Sequence, residues 1–103
     1  MLKKEFKFLT EIYGFEIGLK QKSGSYYFIE WTNRNICIMV LYDDCVENSV
    51  RIRVYDADSL GTVYDAVEYQ KEFAKGSVTP RQKIRHAAEW LRIAIADKTI
   101  IIQ

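Results

Sequence analysis

The sequence predicts an α+β fold, with an N-terminal helix, a four-stranded antiparallel β-meander and two C-terminal helices packed on one face of the sheet. Three observations predict it. Apolar residues recur at helical spacing at the start, switch to a period of two at Phe15, and return to helical spacing after Gly61. The period-two segments are separated by short polar stretches, which suits antiparallel hairpins better than the long crossovers of a parallel sheet. Thr79-Pro80-Arg81-Gln82 carries the residue types that open a helix.

The elements follow in order. Phe6, Leu9, Ile12 and Tyr13 share one helical face and Gly14 stands at the C′ position, giving a first helix over about Lys3 to Tyr13. Phe15, Ile17 and Leu19 alternate with Glu16, Gly18 and Lys20, a half-buried strand, and Lys22-Ser23-Gly24-Ser25 is a hairpin turn. Tyr26 to Thr32 is an aromatic and β-branched strand, and Asn33-Arg34-Asn35 turns it back. Ile36 to Tyr42 is apolar on both faces, the pattern of a central strand covered on each side. After the polar connection from Asp43 to Ser49, Val50, Ile52 and Val54 alternate with Arg51, Arg53 and Tyr55 in an amphipathic strand.

Val63, Ala66, Val67 and Phe73 then predict a short helix ended by Gly76. In the last helix Thr79 caps, Pro80 fits the first turn and Gln82 returns the capping bond. Ile84, Ala87, Ala88, Leu91, Ala94 and Ile95 form its apolar stripe. Ile100 to Ile102 either extends this helix or closes as a short strand, and β-branching favours the strand.

The bulk properties narrow the functional classes. With 103 residues the chain has the size of one domain spanning 1–103, and its 49% hydrophobic content fills a core without disulfides or a structural metal. Fifteen Lys plus Arg against fourteen Asp plus Glu give a net charge of +1, which argues against a nucleic-acid binder because phosphates reward a cationic surplus. An aromatic RNA-binding sheet is also disfavoured, since the element order is not β-α-β-β-α-β and no matching motif is present. Charges interrupt every apolar stretch of the opening segment, and no apolar run reaches the ~20 residues of a membrane span. The expected location is cytoplasmic. Cys37 sits in the apolar run and Cys45 in the polar connection, a core thiol and a loop thiol rather than a disulfide framework.

Little in the chain converges on chemistry. His86 is the single histidine, set among Arg81, Lys83, Arg85 and Arg92, with no partner in sequence to poise it as a base. The alternative reading of a small enzyme would rest on His86 and the loop carboxylates alone. One His and two separated Cys form no zinc pattern, and no cofactor is expected. The acids fall into two clusters, Asp43-Asp44-Glu47 and Asp56-Asp58. A meander places them at opposite edges of the sheet, which weakens a paired-carboxylate mechanism. Ser59-Leu60-Gly61 does not continue an EF-hand loop after Asp56 and Asp58.

The outward face of the sheet is more informative. If Tyr27, Ile29 and Trp31 point to the core, then Tyr26, Phe28, Glu30 and Thr32 point away. Whichever face of the third strand is inward, the other presents apolar residues, and Arg51, Arg53 and Tyr55 join them. An aromatic and aliphatic centre rimmed by charge is the composition of a protein interface, unless the C-terminal segment folds over it.

The segment Phe6-Lys7-Phe8-Leu9-Thr10-Glu11-Ile12-Tyr13-Gly14-Phe15 resembles the start of many small bacterial proteins of uncharacterised function. In these a helix ending in Tyr-Gly-Phe leads into a meander followed by helices. Some such domains are similar to immunity proteins, which neutralise a toxin by binding it. The resemblance implies a binding role and an acidic contact such as Asp43, Asp44 and Glu47; it carries no catalytic residue. The near-neutral charge departs from strongly acidic immunity proteins and counts against a nuclease-type toxin partner. The expected function is therefore non-catalytic binding of another protein or a second copy, with contacts at Tyr26, Phe28, Met39, Arg51, Arg53 and Tyr55 and at the acidic connection.

Overall fold

The computed structural model describes residues 2–24, 26–43, 49–56, 62–65 and 79–102. Strands β1 (Glu16–Ser23), β2 (Tyr26–Thr32), β3 (Ile36–Asp43), β4 (Ser49–Asp56) and β5 (Thr62–Asp65) form one antiparallel sheet in sequence order. The expected meander is present with one strand more than the four anticipated. Two short helices, α1 (Leu2–Glu5) and α2 (Phe8–Glu11), precede it, and α3 (Pro80–Ala96) follows it.

The period of two decides which side of the sheet is dry. Ile29 and Trp31 of β2, Ile36, Ile38, Val40 and Tyr42 of β3, and Val50, Ile52 and Val54 of β4 are all buried. The register pairs Trp31 with Ile38 and Ile38 with Val54, so these side chains share one face. Against it α3 lays Ile84, Ala87, Ala88, Trp90, Leu91, Ala94 and Ile95. The N-terminal segment adds Leu2, Phe6, Phe8, Leu9 and Phe15. Phe6 meets the Trp31 ring at 5.7 Å between centroids, tying the first helices to β2. The Arg92 guanidinium lies 5.8 Å from the Phe8 ring centre, a cation–π contact from α3 to α2.

Two C-terminal helices were expected and one is seen. Thr62–Asp65, where the first of them would begin, pair with β4 as β5; residues 66–78 lie outside the described part of the chain. Val63 and its neighbours suit an added strand as well as a helix, and pairing with the edge of β4 prevails. The last helix starts as its sequence dictates. Gln82 N donates to Thr79 Oγ1 at 3.1 Å and Thr79 N donates to Gln82 Oε1 at 3.2 Å, a complete capping box.

Two further expectations are corrected. The single first helix is broken at Phe6–Lys7, where Leu9 N donates to Phe6 O and Thr10 N donates to Lys7 O, both tight i→i−3 bonds. On one continuous helix Phe6 and Phe8 would stand about 200° apart and could not both face the sheet; the tightened turn lets both rings bury, 6.2 Å apart. Strand β1 is exposed along its whole length rather than half-buried. It pairs with β2 alone, and its register slips between Ile17 and Leu19, leaving Gly18 as a bulge. A Cβ at Gly18 would sit 3.2 Å from Thr32 Cγ2, so the bulge favours glycine. The bulge also separates two residues expected together. Ile17 pairs with inward Trp31, whereas Leu19 pairs with outward Glu30.

Both helical ends are closed by backbone bonds into the chain that follows. Gly14 takes φ 74° and Phe15 N donates back to Leu9 O at 2.9 Å. After α3, Ile100 N donates to Ala94 O at 3.1 Å, which buries Ile100. Ile100–Ile102 is thus neither helix nor strand but a tail folded back on α3. Asp97 Oδ1 accepts from the Thr99 amide at 2.9 Å and hydroxyl at 2.6 Å, and these bonds hold the Asp97 carboxyl below its ordinary range.

Lys98, in this turn, takes φ 67°, a conformation that costs an L-residue about 1 kcal/mol and glycine almost nothing. Lys98→Gly is therefore expected to stabilise the fold by about 0.5–1 kcal/mol, seen as a rise of a few degrees in Tm. Thr79→Ala removes one half of the capping box and is expected to cost about 1 kcal/mol in the same thermal scans.

Candidate functional site

The face of the sheet opposite the helices carries the residues expected to make contacts. Directly paired residues share a face, so the register lays them out in rungs. One rung runs Gln21, Phe28, Leu41, Arg51; the next runs Leu19, Glu30, Met39, Arg53; the next runs Thr32, Cys37, Tyr55. Tyr26 stands opposite Asp43 at the end near the β1–β2 turn.

Two chemically different halves result. The first is apolar with a cationic border. Tyr26 meets Phe28 edge-to-face at 5.8 Å, and Tyr26, Met39, Leu41, Arg51 and Arg53 surround a hollow of about 180 Å³. Phe28, Met39 and Leu41 are half-buried and Arg51 is exposed. Leu19, brought to this side by the bulge, adds a side chain 48% exposed, which makes it part of the accessible surface. The alternation Tyr26-Phe28 and Met39-Leu41 is what puts these groups together, and only a central strand without polar residues on either face can supply it.

The second half is a hydrogen-bonded cluster. The Tyr55 hydroxyl crosses over β3 and donates to Glu30 Oε2, and Tyr55 and Cys37 are hydrogen-bonded to each other. Burial pushes the Tyr55 phenol well above its ordinary value, and the Glu30 carboxylate that accepts its proton adds to the shift. Burial also raises the Cys37 thiol, helped by the Glu30 charge and opposed by the bond to Tyr55. A thiol held in its neutral form is a poor nucleophile, and the Tyr55–Glu30 bond ties β2 to β4 across β3.

The remaining sequence candidates are dispersed. Asp43 is half-buried at one end of β3 on the outer face; Asp44 and Glu47 of the same acidic group, with Cys45 and Asp58, lie outside the described residues. Asp43 pairs with Ser49, and Asp56 stands seven residues along β4 opposite inward-facing Ile36. The two carboxylates therefore occupy opposite faces about 23 Å apart along the strand. His86 lies on the exposed side of α3. Among the described residues no group of three or more His, Cys, Asp or Glu is placed to hold a metal ion, and no helix is long and apolar enough to cross a membrane.

Sequence reasoning missed one feature. A groove of about 720 Å³ opens where the end of α2, the β2–β3 turn and the C-terminal tail meet. Ile12, Tyr13, Arg34, Lys98 and Ile101 line it, with Asn33 beneath. Its signal was present as the unexplained cluster of isoleucines from Ile100 to Ile102, but nothing local says that this tail folds back to the β2–β3 turn. No known protein family, curated protein or solved structure matches the chain.

The raised Tyr55 phenol fixes an alkaline response. The unfolded chain ionises this tyrosine near pH ~10, while the folded protein holds its proton to higher pH. The stability that Tyr55 contributes is therefore complete below pH ~10 and is lost as pH rises through the folded value. Denaturant melts of wild type and Tyr55→Phe are expected to differ by a constant gap from about pH 7 to pH 9, with the gap closing above that. A gap that stays constant through and beyond pH ~10 would show that the folded protein does not hold the Tyr55 proton against ionisation.

Proposed function

We propose that the chain is a non-catalytic protein-binding domain whose contact surface is the outer face of its sheet. The observation that carries this reading is the segregation of the two sheet faces. Helices α1, α2 and α3 all pack on the inner face, while the outer face keeps Tyr26, Phe28, Met39 and Leu41 together beside Arg51 and Arg53. Aromatic, Met and Arg side chains are the types that concentrate binding energy at interfaces, because each joins a large contact area to a directional polar or polarisable group. The Glu30–Tyr55 tie borders the patch and fixes the strand that presents it, which limits the entropy lost on docking.

The occupant is another protein or a second copy, and a second copy is the economical first choice. A two-fold contact sets the same patch against itself, and its apolar centre is self-complementary. A toxin-neutralising role of the immunity type is one form of the same proposal, with the acidic end at Asp43 beside Tyr26 as an additional contact. The charge at Arg51 and Arg53 then selects an acidic rim on the partner.

Light scattering coupled to size exclusion across a dilution series tests the reading. The expected mass is near twice 12.1 kDa at high concentration and falls toward 12.1 kDa on dilution. Met39→Glu is expected to hold the protein at 12.1 kDa throughout, because an unpaired carboxylate at the centre of the patch costs several kcal/mol to desolvate. A monomer at every concentration, combined with a pull-down from the native host whose partners are unchanged by Met39→Glu and Arg51→Glu, would remove the sheet face from the reading.

A further inference from the structure

The groove at the end of the sheet is separate from the proposed contact face and differs from it in chemistry. Its floor is Ile95 and Ile100, both buried. Its walls include Ile12, 65% exposed, and Ile101, 64% exposed, the two most accessible large aliphatic side chains among the described residues. Exposure of this kind on both sides of one hollow is not required by the fold. Neither wall residue supports the core, and a polar side chain at either position would be hydrated at no cost.

The groove is also built rather than incidental. Asn33 Oδ1 accepts from the amides of Asn35 at 2.8 Å and Ile36 at 2.7 Å, which fixes the β2–β3 turn. Its Nδ2 donates to Ile102 O at 2.9 Å, strapping the tail to that turn across 69 residues of sequence. The bond from Ile100 N to Ala94 O and the Asp97–Thr99 turn hold the tail at its other end. These contacts preorganise the β2–β3 turn and the tail wall that carries Ile101 before any ligand arrives.

Its charge has one sign. Arg34 and Lys98 line the groove, and neither has a carboxylate partner among the described residues. No Asp or Glu is found among its described lining residues. Of the two acids adjacent in sequence to lining residues, Asp97 is turned to Thr99 and Glu11 stands 3.9 Å from the Lys7 ammonium. Lys98 stands at positive φ, 67°, a conformation that glycine would take more easily.

We infer that this groove binds a small aliphatic carboxylate, its hydrocarbon chain between Ile12 and Ile101 and its head group between Arg34 and Lys98. A volume of about 720 Å³ accommodates such a molecule with room for water at the open side. Guanidinium and ammonium groups recognise the carboxylate by charge-assisted hydrogen bonds, while the isoleucines supply the affinity that scales with chain length.

Decanoate is the probe, with decanol and decyltrimethylammonium as the neutral and cationic chains of similar length. Titrations followed by isoleucine-methyl NMR and by calorimetry are expected to shift the Ile12 and Ile101 signals with decanoate. They are also expected to give weaker binding of decanol and none of the ammonium chain. Arg34→Gln and Lys98→Gly are each expected to weaken decanoate about threefold to fivefold without weakening decanol. Lys98→Gly is expected to be more stable than wild type, so a loss of binding there is not a loss of folding. Decanoate that fails to shift Ile12 and Ile101, or that binds no better than the ammonium chain, overturns the inference. A peptide ending in Ile-Ile with a free carboxylate that binds tenfold tighter than decanoate overturns the choice of occupant and gives the groove to a protein chain end.

Discussion

The structure depends on one strand that is apolar on both sides. The inward residues of β3, from Ile36 to Tyr42, form the buried line between β2 and β4, while α3 packs against β4 and α1 against β2 and α3. Burying each of these side chains is worth about 1.5–3 kcal/mol, more than a helix cap or an exposed ion pair contributes. The helical layer is therefore chosen by the sheet, and capping decides only where each helix begins. The same alternation leaves Cys37, Met39 and Leu41 on the other side. A strand that must be apolar inward to hold the core is under no such demand outward, and its composition there is the reason to assign that face a task.

Much of this was legible in the sequence because period-two alternation is a local property. Tyr26 to Thr32, Ile36 to Tyr42 and Val50 to Tyr55 announced their strands, and Thr79 with Gln82 the start of α3, whereas a third strand apolar on both sides left open which of its faces the helices cover. Other features depended on neighbours that sequence spacing does not reveal. The break at Phe6–Lys7 arises because two rings six ångströms apart must reach one sheet. Ile17 and Leu19 look like one stripe, yet an extra residue at Gly18 divides them between faces. Val63 has a pattern compatible with helix or strand, and the free edge of β4 decided it. Of the candidate site, the sheet face was visible as a list of residues. The cross-strand tie from Tyr55 to Glu30 was not, because it joins positions two strands apart.

The outer face combines a soft half and a stiff half. Phe28, Met39 and Leu41 offer rotamer freedom and polarisable surface, which suits adaptation to a partner. Tyr55 is hydrogen-bonded to both Glu30 and Cys37, and these bonds link β4 to β2 and β3. Such a tie restricts shear between strands, so the soft half is presented at a constant curvature. The groove beyond the β2–β3 turn follows the same plan by other means, since the Asn33 side chain ties that turn to the tail through bonds to main-chain groups.

The bulge at Gly18 has a consequence for how molecules of this protein meet. Strand β1 borders the sheet, and its outer side offers backbone groups to any extended chain. The slip in its register breaks the regular spacing of those groups, and Lys20 and Lys22 stand on the stretch that remains regular. An approaching strand thus finds a short, charged template on this border. Growth by adding sheet to sheet, the route to fibres, is therefore discouraged on this side.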